Sequence, residues 1–177
     1  PDLRLRASYG KNFRAPAFND LYWTAGGNPA LKPERSTSAD GGLLVTTRLL
    51  GELTVDMSYF TIDTRDRIVW VPRSGDLWSP ENIARVRSEG IELEGRWTGF
   101  DGYLLLSVNS TWTHAWKRSE DFPGDPTSGK QLVYVPAQTV NATATIRIAD
   151  GDVFVQHQWV SYRFTTEMND RFLPSYV

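Results

Sequence analysis

Cysteine is absent from the 177 residues, so neither a disulfide framework nor a thiolate metal site is available. Histidine occurs only twice, at His114 and His157, far apart and without ligand spacing. An imidazole metal centre is therefore not expected, and nothing in the residues asks for a cofactor. No run of about 18 apolar residues exists, which excludes a transmembrane helix. No signal-peptide pattern opens the chain. Excess charge is missing as well: 19 Lys+Arg face 21 Asp+Glu, for a net charge of −2. No polyanionic partner is implied, and nucleic acid is not expected. Strong capping signals ahead of a 3.6-residue period are also lacking, so no helix is expected.

What is present is alternation. Leu3, Leu5, Ala7 and Tyr9 fall on one parity, with Arg4, Arg6 and Ser8 on the other. Leu43, Val45 and Leu49 oppose Asp40, Thr46 and Arg48. Leu53, Val55, Met57 and Tyr59 oppose Thr54, Asp56 and Ser58. Similar patterns run through residues 91–97, 104–112, 140–148 and, less cleanly, 153–160. Period-2 alternation predicts strands with one apolar and one polar face. The run from about Glu52 to Val71 reads as one long strand whose parity slips near Tyr59 and Phe60. Its far half is expected to project beyond a bilayer, because a tilted strand crosses in about 10 residues.

The connections are of two kinds. Short ones fall at Leu50-Gly51, Thr98 to Gly102 and Ala149 to Asp152; long ones span residues 11–35, 72–84, 117–135 and 164–172. They alternate along the chain. In an up-and-down meander this puts tight turns at one end and large loops at the other, as in an outer-membrane β-barrel. The expected fold class is therefore all-β, an antiparallel up-and-down meander from a large transmembrane β-barrel. The polar parity carries Arg4, Arg6, Asp40, Arg48, Asp56, Glu92, Glu94, Arg96 and Arg147. Two readings of that face stay open: the solvated surface of a soluble sandwich, or the lumen side of a barrel. Aromatic residues favour the second. Trp97, Phe100 and Tyr103 bracket a short turn, while Trp112, Trp116, Trp159 and Tyr162 lie toward far strand ends. That resembles two interfacial girdles.

The stretch "YGKNFRAPAFNDLY" followed by "GNPALKPERSTSADGGL" resembles the barrel signature of TonB-dependent outer-membrane receptors. The matching positions are Phe13, Arg14, Ala15, Pro16, Leu21, Tyr22, Gly27, Asn28, Pro29, Leu31, Pro33 and Glu34. "VDMSYFTIDTRDRIVW", "ENIARVRSEGIELEGRW" (through Asn82, Gly90, Ile91 and Glu92), "VPAQTVNATATIRI" and "WVSYRF" follow in the family's order. The resemblance implies a barrel of about 22 strands filled by an N-terminal plug. It also implies uptake of a scarce ligand such as an iron-siderophore, haem or vitamin B12, driven by TonB acting through the plug. Outer-membrane lipid and a small-molecule metal chelate are the implied partners. The chain reads as a segment: seven full strands and the start of an eighth, without plug or final strands. Seven strands cannot close such a barrel, so the isolated segment is expected to curl or to associate with another copy. A passive porin-like channel and a soluble all-β binding module are the alternatives.

Within the signature, Pro16, Pro29 and Pro33 suit an ordered loop. Gly26 and Gly27 are read as permitting backbone angles that other residues avoid. Arg14 and Glu34 flank the loop, either facing polar partners at the barrel rim or simply solvated. Phe13, Phe18, Leu21 and Tyr22 are expected to pack the loop against itself, with ligand contact the lesser reading. Glu92 and Glu94 share a strand face with Arg96, which favours an ion network over paired-carboxylate catalysis. No enzyme is expected. "GDPTSGK" lacks the spacing of a phosphate loop. Trp23, Trp78 and Trp116 are candidate ligand contacts on or near the long loops.

Overall fold

The computed structural model describes residues 1–48, 50–72, 77–82, 85–120 and 123–177. Leu49 and part of the 72–84 connection lie outside the described residues. Seven strands form one antiparallel sheet: β1 (Asp2–Arg14), β2 (Glu34–Arg48), β3 (Glu52–Arg65), β6 (Val86–Gly99), β7 (Leu104–Lys117), β8 (Gln138–Ile148) and β9 (Gly151–Val160). Between β3 and β6 the chain makes a separate hairpin, β4 (Ile68–Pro72) with β5 (Trp78–Asn82). A two-residue pair, β10 (Arg163–Phe164) with β11 (Phe172–Leu173), follows β9. Tyr176 then exchanges two backbone hydrogen bonds with Val160 at the end of β9, both 3.0 Å. Neighbours in the large sheet follow chain order apart from the inserted hairpin, so the meander is as expected, and these strands do not close a barrel.

Two expectations are corrected. The single strand from Glu52 to Val71 is two strands. Asp66 takes a left-handed conformation, φ 55°, which turns the chain out of the sheet and lets β4 pair with β5 instead. A helix also exists: α1, Phe18–Tyr22. At five residues it is too short to show a 3.6 period. Its first turn is held by the Asp20 carboxylate, which accepts a hydrogen bond from the Ala17 N–H at 3.0 Å. A single 3-10 turn, Phe100–Gly102, sits in the β6–β7 connection. The parity slip at Tyr59-Phe60 is no break in register, since β3 pairs continuously with β6 from Glu52 to Thr64. Phe60 stays on the polar parity and lies across Gly90, its register partner; a Cβ there would sit 2.7 Å from the ring.

The short turns gather at one end and the long connections at the other. Tight packing is concentrated at the long-loop end. Leu31, Ile68, Val86 and Ala115 are buried there, and Pro80 is fully enclosed. The aliphatic parity along the strand bodies is only partly covered. A shallow hollow of about 570 Å³ lies along it, bordered by Leu53, Leu93, Leu106, Val108 and Val155.

Candidate functional site

The signature loop, residues 15–33, is built on two register partners. Arg14 and Glu34 face each other across β1 and β2. The guanidinium donates twice to the carboxylate, Nη2 to Oε1 at 2.6 Å and Nε to Oε2 at 2.9 Å. The Ile68 N–H donates to the same Oε1 at 2.8 Å. Glu34 therefore closes the loop at its base and also pins the first residue of β4. Partial burial pushes its carboxyl up, but the hydrogen bonds from Arg14 and the Ile68 amide outweigh that and hold it below the ordinary glutamate range. Arg14 is raised by the same contact.

Inside the loop, Asp20 is 9% exposed and accepts from the Trp70 indole N–H at 3.0 Å as well as from Ala17. Asn28 donates to the Pro80 carbonyl at 3.1 Å, and its own N–H donates to the Asp20 carbonyl at 2.8 Å. Asn82 accepts from the Lys32 N–H at 2.7 Å and donates to the Lys32 and Asp66 carbonyls at 2.9 and 2.7 Å. Three polar side chains thus fasten the loop onto the β4–β5 hairpin. The reading of Gly26 and Gly27 changes accordingly. Neither has positive φ; each allows a close approach. A Cβ on Gly26 would lie 2.0 Å from the Trp78 carbonyl oxygen, and one on Gly27 would lie 2.5 Å from the Trp23 nitrogen.

The other signature positions divide. Leu31 is buried, and Leu21 closes the α1 turn by donating its N–H to the Ala17 carbonyl at 3.2 Å. Ala15 and Pro16 mark the exit from β1, Pro29 follows the Asn28 contact, and Pro33 precedes β2. The aromatics contribute less packing than expected. Phe18 is 75% exposed and meets Tyr22 with the rings tilted at 51° and 5.0 Å between centroids, while Phe13 is exposed outright. The loop is held by polar contacts instead. Asp20 carries no such role in the sequence reading. Its signal is a carboxylate three residues after the N-cap Ala17, the capping-box spacing.

Pairing register places Arg4, Arg6, Asp40, Arg48, Asp56, Glu92, Glu94, Arg96 and Arg147 on a single face. Arg6 reaches Asp56 diagonally across Gly42, where a Cβ would stand 2.9 Å from the arginine Nε. Ser8 donates to Asp40. Arg96 lies 3.4 Å from Glu94, and Arg147 lies 3.2 Å from Asp152. Arg4 pairs with Asp2 at 2.8 Å. Arg6, Asp56, Glu92 and Glu94 share a polar hollow of about 270 Å³ with Asn109 and Thr111. Glu92 and Glu94 are thus members of a spread-out ion network. Among the described residues no cluster of three or more His, Asp or Glu is arranged to hold a metal.

The three tryptophans separate. Trp23 and Trp78 are both half-exposed where the loop meets the hairpin. Trp116 lies on the aliphatic parity, stacked on His114 at 4.3 Å with the Arg87 guanidinium 5.9 Å from its ring. The segment resembling a phosphate loop is a structural turn. Lys117 Nζ contacts Asp125 at 2.7 Å and Thr127 at 2.9 Å, and both ionic side chains are deeply buried. Asn169 exchanges hydrogen bonds with the Gln131 backbone at 2.8 and 2.9 Å, which ties together the long connections after β7 and β9.

This arrangement agrees with what the chain resembles. The family model for the TonB dependent receptor-like β-barrel matches residues 1–177. A vitamin B12 transporter, BtuB, of Vibrio vulnificus strain YJ016 is 38% identical over 116 residues, 65% of this chain and 18% of that protein. A vitamin B12 transporter of Photobacterium profundum is 38% identical over 97 residues, 52% of this chain and 15% of its own length. This chain thus spans less than a fifth of those relatives. Among solved structures, the copper transporter OprC superposes with TM-score 0.74 at 19% identity, covering 91% of this chain and 24% of that one. The ferric yersiniabactin receptor FyuA of Yersinia pestis gives 0.71 at 18% identity, covering 99% and 26%. These two share the fold. The chain belongs to the TonB-dependent receptor-like β-barrel family, whose members are receptors and transporters of the Gram-negative outer membrane.

Proposed function

We propose that this chain is wall and extracellular rim of a TonB-energised outer-membrane transporter, and that its ligand is a corrinoid of the vitamin B12 type. One observation carries the transport reading: a sheet divided into a charged face and an aliphatic face, in a chain of this family. A wall between an aqueous lumen and lipid requires that division. In this reading the nine charged residues line the lumen and the aliphatic parity meets lipid. Trp23 and Trp78 offer half-exposed rings for ligand contact at the loop rim. TonB acts on the whole receptor through its plug. Away from a bilayer, the chain covers its aliphatic parity by associating with another copy. Among iron-siderophores, haem and vitamin B12, the last comes first because the B12 transporters share 38% identity with this chain.

The test uses the full-length receptor in outer-membrane vesicles and in cells. Saturable cyanocobalamin binding, with uptake that disappears when TonB is deleted, is the expected result. Uptake that persists without TonB sinks the energised reading in favour of a passive channel. Saturable binding of a ferric siderophore with none of cyanocobalamin sinks the corrinoid assignment alone.

A further inference from the structure

The strongest concentration of one charge sign lies on the face opposite the ion network. Register places Lys11, Thr37, Asp63, Arg87 and Trp116 in one row across the sheet. Phe13, Arg35 and Arg65 form the next row toward the long loops. Arg85 and Arg118 extend it, joined by a backbone hydrogen bond of 2.6 Å. These are the positions of the aliphatic parity, continued past its apolar part. Lys11, Arg35, Arg65, Arg85, Arg87 and Arg118 border a cleft of about 800 Å³. The carboxylates there are too few. Asp63 alone receives Arg85 at 2.8 Å, Arg118 at 3.4 Å and Arg65 at 4.0 Å, and Glu89 takes Arg87 at 3.1 Å. Among the described residues, six cations face these two carboxylates and Asp66, which shares an adjoining hollow with Arg65 and Arg85, an excess of three positive charges.

The height of the cleft decides what it meets. Tyr59, Ile91 and Trp112 share the row at which the apolar band ends. Asp63 lies four residues further along β3, about 13 Å along the strand at ~3.3 Å per residue. With strands tilted about 40°, that is roughly 10 Å above the aromatic row. The polar layer of each leaflet occupies about 5–8 Å outside the hydrocarbon. The cations of this row therefore lie just above the lipid headgroups, on the side that faces lipid, and those of the next row about 5 Å higher. Solvated charges of this kind would be expected with mixed sign. Guanidinium groups are suited to two-pronged recognition of phosphate, and Phe13 adds an apolar ring to the lining of the cleft.

We propose that this outward-facing arginine cleft binds the phosphate groups of a phosphorylated glycolipid of the outer leaflet. The inference rests on the transmembrane-barrel reading, but not on the identity of the transported ligand.

The test reconstitutes the full-length receptor in phosphatidylethanolamine nanodiscs containing diphosphorylated lipid A or its dephosphorylated form. Lipid retained after detergent release is counted by native mass spectrometry. The wild-type receptor is expected to retain the diphosphorylated lipid about tenfold over the dephosphorylated one. The variant R35A/R87A/R118A is expected to lose that preference, and R96A on the opposite face to keep it. Heat-modifiable mobility on gels verifies that each variant is a folded barrel. Equal retention of the two lipids by the wild type overturns the proposal without reference to any variant. So does an unchanged preference in the folded triple variant. Displacement of the lipid by the soluble diphosphorylated disaccharide, stripped of acyl chains, at equal concentration also overturns it, since the site then reads phosphate in solution. A receptor that does not enter the bilayer at all fails the barrel reading instead.

Discussion

Two regions of this molecule use the same pair chemistry under opposite conditions. At the long-loop end, Lys117 and Asp125 are 12% and 2% exposed, and Glu34 is 14% exposed beneath Arg14. On the charged face of the sheet, Arg96 and Glu94 are 68% and 56% exposed. Loop-end carboxylates also accept backbone N–H groups: Ile68 on Glu34, Thr127 on Asp125 and Ala17 on Asp20. The face pairs connect side chain to side chain. A charge enclosed and bonded to backbone determines where a segment goes; a pair open to water determines little beyond the local field.

The comparison is broken most forcefully at Lys117. Replacing it by Met removes the ammonium 2.7 Å from the buried Asp125, which should destabilise the connection after β7 by about 3 kcal/mol. Hydrogen exchange of residues 123–135 in the full-length receptor measures this; protection unchanged from wild type would mean that burial is not the deciding factor. Glu34→Ala comes next. It removes the double bond to Arg14 and the acceptor of the Ile68 N–H, with an expected loss of about 2 kcal/mol. Limited proteolysis should then cut between residues 15 and 33 far faster, while the strand bodies stay protected.

Acidity sharpens the same contrast. The Asp63 carboxyl is held low first by its hydrogen bond from Arg85 and further by nearby Arg118 and Arg65; Glu34 is held low by Arg14 and Ile68 against its burial. A depressed carboxyl contributes stability that is fully present above its unfolded value, about 4 for Asp and Glu. That contribution is lost as pH falls through the lower folded value. Exchange protection of the Ile68 amide should therefore stay flat from pH 7 to about 4 and decline only below that. A decline beginning between pH 7 and 5 would contradict the assignment.

The strand bodies were legible because one rule acts on every residue of them: a face meets apolar surroundings, the other does not, and parity records which. Arg4 through Arg147 share a face for that reason. The loop end obeys no such period. Asp20 and Asn82 act through partners 50 positions away, Trp70 and Lys32, and no local pattern announces them. The hairpin β4–β5 was hidden because "DRIVW" continues the alternation of β3, while the break depends on one left-handed residue, Asp66. Gly26 looked like a turn residue and is a contact residue, a distinction set by the Trp78 carbonyl on another segment.

Arg96→Ala marks the lower end of the scale. Its guanidinium is mostly in water, and the single contact to Glu94 at 3.4 Å is long. An exposed pair of this kind contributes about 0.5 kcal/mol or less. The substitution should leave the resistance of the folded barrel to heat and detergent as in wild type. It should still change the field in the polar hollow, where among the described lining residues Glu94, Glu92 and Asp56 stand against one cation, Arg6. Single-channel or uptake measurements on the full-length receptor read that field, whereas unfolding measurements read stability. A loss of stability matching that of Glu34→Ala would show that the sheet face is as tightly coupled as the loop end, and would remove the contrast between the two regions.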